Sequence, residues 1–245
     1  MAKIMWINPV GTDIFDKPIL NMLNDVKQPC TQVEVVSLKK GPLHLDYRYY
    51  EALVVPDILN IIKSAEKQGY DAAIIGCFYD LGLKEAREIA EKMIITAPAE
   101  ACMHIAATMG HRFSIITGRE KNIPQMMDNV VLSGMKDKLA SFKPLGLGVH
   151  DYHKDENMVV QRLKEKAKEA VEKDGAEVVV LGCTIQFGFF KELQEYVGVP
   201  VIDAVLAPFK YAEFLVELKD RFGWLHSKKN AFEAPPASEI TAWNL

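Results

Sequence analysis

The chain is marked first by what it lacks. Its four cysteines, Cys30, Cys77, Cys102 and Cys183, stand far apart with no C-x-x-C between them. That spacing excludes a zinc ribbon and a thioredoxin-type redox pair, and in a reducing compartment it also argues against a disulfide framework. No H-E-x-x-H occurs; His150 and His153 in "HDYH" could share a helical face but have no cysteine partner nearby, so no metal site is expected. No apolar run reaches the roughly 18–20 residues that cross a bilayer. The opening "MAKIMWINPV" meets a proline before an apolar stretch long enough for a signal peptide. Net charge is −4, and the short basic pieces "SLKK" and "HSKK" read as solvated loops, so no nucleic-acid footprint is present. Gly146-Leu147-Gly148 has Asp151 where a third glycine of a dinucleotide loop should be, which excludes that phosphate site. A cytoplasmic protein with a small-molecule partner, no nucleic acid and no membrane is the expectation.

What is present is an alternation. Continuous apolar runs read as strands over residues 2–8, 31–38, 70–77, 112–117, 145–150, 176–183 and 199–203. Segments of helical period lie between them, most clearly at 56–69, 83–93 and 156–175. In the last, Val159, Leu163, Ala167 and Val171 form an i, i+4 stripe opposite a solvated Lys/Glu face. Gly69 and Gly175 are helix stop signals, each followed at once by a strand. Short apolar strands alternating with helices imply parallel sheet buried on both faces.

The alternation also repeats. "YDAAIIGCFYDLG" at 70–82 returns in the second half as "AEVVVLGCTIQFG" at 176–188, each with a helix and glycine before it and a proline-led segment after it. The fold class expected is therefore α/β: two similar lobes, pseudo-twofold related, each a parallel-type sheet flanked by helices. Residues 1–110 plus 205–245 would form the lobe carrying Cys77, and 111–204 the lobe carrying Cys183. Ligands bind at the carboxyl edge of such sheets, so the two Gly-Cys turns would meet across one interlobe cleft.

Two facing thiols suit acid-base chemistry. A thiol at a strand's carboxyl end with a helix N-terminus ahead sits in positive partial charge, which should lower its pKa from about 8.5 toward neutrality. One cysteine as thiolate takes a proton from a carbon acid, and the other as thiol returns one to the opposite face. This inverts a stereocentre and needs no cofactor and no metal. Glycine before each cysteine permits close approach of backbone amides to a ligand oxygen. Packing is the ordinary role of a free cysteine, and it is kept for Cys30 and Cys102. For Cys77 and Cys183 the matched repeat favours chemistry. A decarboxylase or cis-trans isomerase on the same scaffold, or a binding protein that kept only the cleft, are the alternatives left open.

The pieces "INP" at 7–9, "GCFYDLGL" at 76–83, "EA" at 100–101, "RFSIIT" at 112–117 and "VVVLGCT" with "GVPVIDAV" at 178–205 cover most of the chain. In this order they resemble the aspartate/glutamate/hydantoin racemase superfamily, most of all its hydantoin and allantoin racemase branch. The resemblance implies a cofactor-independent racemase in which Cys77 and Cys183 are the catalytic acid/base residues. It implies that Asn8, Thr117 and Gly118 line the substrate pocket, and that Phe78 and Thr184 supply amides to substrate oxygens. Hydantoins and allantoin are then the favoured substrates, with acidic amino acids behind. The chain departs from the hydantoin pattern at Val10, at Tyr79 and at Thr184, and from the glutamate pattern at Ile185 and Gln186. Three further features have two readings each. Tyr47, Tyr49 and Tyr50 either wall a pocket or pack a helix, and Glu100 either orients a ligand or caps a helix. The tail from Asn230 is a strap or an oligomer contact led by Trp243. A homo-oligomer is the expected assembly.

Overall fold

In a computed structural model, which describes residues 2–152 and 154–243, the chain forms two four-stranded sheets, every strand parallel to its neighbours. The first half runs β1 (Lys3–Asn8), α1 (Asp16–Val26), β2 (Gln32–Ser37), α2 (Arg48–Lys67), β3 (Ala72–Ile75), α3 (Leu83–Ile89), β4 (Ile94–Thr96) and α4 (Pro98–Met109). The second half runs β5 (Phe113–Thr117), α5 (Ile123–Leu132), β6 (Leu139–Pro144), α6 (Glu156–Glu172), β7 (Val178–Leu181), α7 (Phe190–Val197), β8 (Val201–Ile202) and α8 (Leu206–Phe222). A short α9 (Ala237–Ala242) follows. Strand orders are β2-β1-β3-β4 and β6-β5-β7-β8, so the halves are built to one plan and the expected two-lobed α/β class holds.

The central strands β1, β3, β5 and β7 are buried along nearly their whole length because both faces are covered. Alternate residues of β1 and β3 divide between two clusters. Met5, Ile7, Ala73 and Ile75 meet Val54, Ile58 and Ile62 of α2, while Ile4, Trp6, Ala72 and Ile74 meet Ile19 and Leu23 of α1 and Phe209 and Val216 of α8. In the second sheet Phe113, Ile115, Val178 and Val180 pack on α4 and α5, and Ile116, Val179 and Leu181 on α6 and α7. The closing helix of each half thus crosses over: α4 packs on the second sheet and α8 on the first. This exchange ties the lobes together.

Four local expectations need correction. Residues 145–150 are not a strand; pairing with β5 stops at Pro144, and Gly146 at φ +72° turns the chain away. The apolar signal there came from Leu145 and Leu147, which are buried from a loop. The strands actually present at β4 and β6 gave no such signal. β4 is three residues long, and β6 is an edge strand whose Lys143 pairs with Asp174 at 2.7 Å and Glu169 at 3.1 Å. The helix expected from residue 56 begins at Arg48 with Pro56 inside it; its buried stripe of Val54, Ile58, Ile62 and Ala65 outweighs the lost backbone bond. Helix 83–93 ends at Ile89 instead, because Met93 already leads into β4.

The tail beyond α8 straps the edge of the first sheet. His226 Nε2 accepts the Ile95 N–H of β4 at 2.9 Å, and Arg87 Nη2 donates to the Ile95 carbonyl at 3.1 Å, so the edge strand is covered. Trp243 is exposed. No helix among the described residues is long and apolar enough to cross a membrane.

Candidate active site

In each sheet the strand order reverses between the first and third strands of the half, and the crevice of a doubly wound sheet opens at the carboxyl ends of those two strands. β1 ends at Asn8 and β3 leads into Cys77; β5 ends at Thr117 and β7 leads into Cys183. All four residues line one cavity of about 80 Å³ between the lobes. Drug-sized ligands occupy pockets of roughly 300–1,000 Å³, so the ligand here is small.

The two cysteine turns share two matched backbone bonds, and Cys77 N–H makes a further one to Ile75 O at 2.8 Å. Gly76 N–H donates to Ile7 O and Gly182 N–H to Ile116 O, both at 2.8 Å, which extends each sheet by one rung. The carbonyl of Cys77 accepts from Asp80 N–H and that of Cys183 from Gln186 N–H, both at 3.0 Å. Each sulfur takes the amide two residues on, Tyr79 and Ile185 respectively. The amides between, of Phe78 and Thr184, have no acceptor among the described residues and are free for a ligand oxygen. Packing also demands glycine at both positions. A Cβ on Gly76 would lie 2.5 Å from the Trp6 indole nitrogen, and one on Gly182 would lie 2.7 Å from Ile115 Cγ2. Neighbouring strands leave no room for a side chain at either position.

The turns are also interlocked across the lobes. Phe78, from the first-lobe turn, is buried in the second-lobe core beside Met103 and Phe113. In return Thr184 Oγ1 donates to Gly76 O at 3.2 Å. Spacing between the two thiols is therefore set by side chains next to them.

Electrostatics correct the sequence reading. Both thiols were expected to have a lowered pKa, and both are raised. Burial pushes the Cys77 thiol well up; the Tyr79 amide offsets this in part, and the charges of Glu51, Cys183 and Asp80 add to it. Burial pushes Cys183 up to about 12, opposed by the Ile185 amide and reinforced by Asp46. Desolvation of a thiolate outweighs two amide dipoles when carboxylates are the nearest charges. Cys30 is exposed, and Cys102 is buried against Asp203 O at 3.9 Å, away from the cavity.

Of the residues named by resemblance, Asn8, Phe78, Thr117, Gly118 and Thr184 all line the cavity with the cysteines. Asn8 is held by Trp6 Nε1–H at 2.7 Å and by its own amide on Asp16 Oδ1 at 2.6 Å, which fixes its orientation. Thr117 Oγ1 is buried with no hydrogen-bond partner. Gly118 must be glycine, since a Cβ would lie 2.7 Å from Leu147 O. Sequence reasoning missed His44 and Asp46 in the loop between β2 and α2, and Tyr152 beyond β6. They stand in loops without a repeat, so no local pattern marks them. Tyr47, Tyr49 and Tyr50 do not line the cavity. Glu100 stands in the first turn of α4, outside the cavity lining, and pairs with Arg87, while Asp80 caps α4 by accepting Ala99 and Glu100 N–H, each at 2.8 Å. No group of three or more His, Cys, Asp or Glu able to hold a metal occurs among the described residues, and His153 lies outside them.

A two-lobed α/β scaffold brings one thiol from each lobe to a single small cavity. Comparison with known proteins identifies the family. The profile of the Asp/Glu/Hydantoin racemase family matches residues 4–212, and the chain belongs to that family. It is 34% identical to a hydantoin racemase of Pseudomonas sp. (strain NS671), over 97% of this chain and 93% of that one. It is 33% identical to a hydantoin racemase of Paenarthrobacter aurescens, over 95% and 97% of the two chains. Among solved structures, allantoin racemase from Klebsiella pneumoniae superposes with a TM-score of 0.89 at 28% identity, covering 96% of this chain and 94% of that one. The decarboxylase, cis-trans isomerase and binding-protein readings are not favoured beside these relatives.

Proposed function

We propose that this racemase inverts the stereocentre of five-membered cyclic ureides, 5-substituted hydantoins or allantoin, with Cys77 and Cys183 as its two bases. The observation that carries the reading is that each lobe brings one Gly-Cys turn, held to its sheet in the same way, to one cavity. One thiolate takes the hydrogen from the ring carbon beside the carbonyl, and charge moves onto the carbonyl oxygen. The free amides of Phe78 and Thr184 are placed to meet that charge, and the opposite thiol delivers a proton to the other face. Thr117 and Asn8 orient the ring. The chemistry asks for no metal and no cofactor, so turnover in EDTA should equal turnover without it.

Acidic amino acids are the weaker candidates. Each brings two carboxylates, and among the described residues no lysine or arginine lines the cavity to receive them. A cyclic ureide is neutral and offers carbonyls to amides. We place the enzyme in the cytoplasm, where free thiols persist. We expect it to assemble with further copies of itself, in keeping with the exposed aromatic groups Phe214, Phe222 and Trp224 of α8 and its exit.

Polarimetry over single enantiomers of hydantoins, allantoin, aspartate and glutamate tests the reading. Decay of optical rotation with a cyclic ureide, and none with the acidic amino acids, is expected. Faster racemisation of aspartate or glutamate would overturn it.

A further inference from the structure

Asp46 is the only carboxylate among the side chains that line the cavity, and no lysine or arginine accompanies it there. It belongs to the first lobe's loop between β2 and α2, yet its carboxylate lies against the second. Asp46 Oδ2 is 3.3 Å from the position a Cβ on Gly148 would take. Its negative charge is felt at Cys183 and at the buried hydroxyl of Tyr152.

Its partners inside the protein are weak. His44 Nδ1 stands 3.5 Å from Oδ2, beyond the usual hydrogen-bond distance, and itself accepts the Asp46 backbone N–H at 3.3 Å. Arg119 Nη1 is 4.0 Å away, beyond hydrogen-bond reach, on a side chain more than a third exposed. No hydrogen bond to the carboxylate is made among the described residues, although the side chain is only 11% exposed. A carboxylate taken this far out of water is costly unless donors are supplied to it.

Position says which part of a ligand would supply them. The two thiols bracket the reacting carbon, and the amides of Phe78 and Thr184 face the ring oxygens. Asp46 comes from neither cysteine turn. Leu43 and His44, just before it, line both the cavity and an open groove beside it, so this loop forms the mouth. A group that extends from the ring toward the mouth meets Asp46.

Resting on the racemase reading above, we infer that Asp46 sets the charge selectivity for the substituent at the ring's stereocentre. It accepts N–H groups of a ureido, amide, ammonium or guanidinium terminus and rejects a carboxylate terminus. Arg119 opposes this selection, because its cation partly neutralises the same carboxylate from outside.

The test is racemisation of three hydantoins with 5-substituents of matched length, ending in an ammonium, a methyl or a carboxylate, at neutral pH and low salt. Wild type should favour the ammonium compound over the carboxylate compound by at least about tenfold in kcat/KM. Asp46→Asn should shrink that ratio by roughly tenfold, chiefly through KM, and Arg119→Gln should enlarge it. An unchanged ratio in Asp46→Asn, or an equal loss on all three compounds, would overturn the inference in favour of a packing or ring-binding role. Should Asp46→Asn fail to fold, Arg119→Gln still decides, since an unchanged or smaller ratio there contradicts the assignment. Wild-type protein that exchanges no ring hydrogen of any hydantoin for deuterium would instead bring down the racemase reading, and this inference with it.

Discussion

Thr184, which follows one cysteine, donates its hydroxyl to the carbonyl of Gly76, which precedes the other, at 3.2 Å. The residues are 108 apart in the chain. This bond lashes the two cysteine turns together, so the gap between sulfurs does not depend on lobe packing alone. Thr184→Val keeps shape and removes the bond. Stability should fall by about 1 kcal/mol, as for one lost hydrogen bond, while kcat falls by about tenfold or more from misplacement. Thermal denaturation beside steady-state kinetics separates the two effects, and equal small changes in both would show that the bond does not position the turns.

Removing one thiol should reveal a role for each. In a two-base enzyme each thiolate deprotonates one enantiomer only. Cys77→Ala and Cys183→Ala should each lose net racemisation by roughly 10²–10⁴-fold. The surviving cysteine can still exchange the ring hydrogen of a single enantiomer for solvent deuterium, and that enantiomer should differ between the two variants. Exchange of the same enantiomer by both would leave one catalytic cysteine and a different partner.

Raised thiols predict an alkaline enzyme. A thiol whose folded pKa lies above its ordinary value is protonated at neutral pH, and its thiolate fraction grows as pH rises toward that higher value. Since Cys183 is pushed up to about 12 and Cys77 well above 9.0, kcat/KM should climb from pH 7 to 10 without a plateau. Alkylation by iodoacetamide in a Cys30→Ser background should accelerate over the same range. A plateau reached by pH 7 in both measurements would mean that the thiols are far more acidic than their surroundings imply.

Asp80 gives the fold its own pH signature. It stands at φ +51°, caps α4, and is buried, which raises its carboxyl from 3.8 to about 7. The folded state therefore binds the proton more tightly than the unfolded chain does. This contribution to stability is complete below pH 3.8 and is lost as pH rises through 7. Asp80→Asn retains an acceptor and tolerates the positive φ, so its melting temperature should gain on wild type between pH 4 and 7. Asp80→Ala should cost about 1–2 kcal/mol below pH 4, as for a lost cap, and less as pH rises through 7. A pH-independent difference between Asp80→Asn and wild type would contradict the assignment.

Much of this protein is written in adjacent residues. A continuous apolar strand, a glycine and a cysteine make a local phrase, and its repetition in the second half was enough to reveal two lobes and to single out Cys77 and Cys183 from four cysteines. Parallel sheets permit this, because strands buried on both faces must be apolar at every position. The edge strand with Lys143 and the three residues of β4 escaped notice for the converse reason: they carry too little apolar period to announce a strand.

Tertiary structure alone decided how the site behaves. The sequence puts amides and helix starts near each thiol, which argues for acidity. Folding surrounds those thiols with apolar walls and with Glu51, Asp80 and Asp46, and the result is the opposite sign. Desolvation and Coulomb energies depend on what stands within a few ångströms in space, and Asp46 reaches Cys183 from the other lobe. The same holds for the exchange of α4 and α8 and for the bond from Thr184 to Gly76. These contacts join residues that no spacing rule relates, so only the folded chain brings them together.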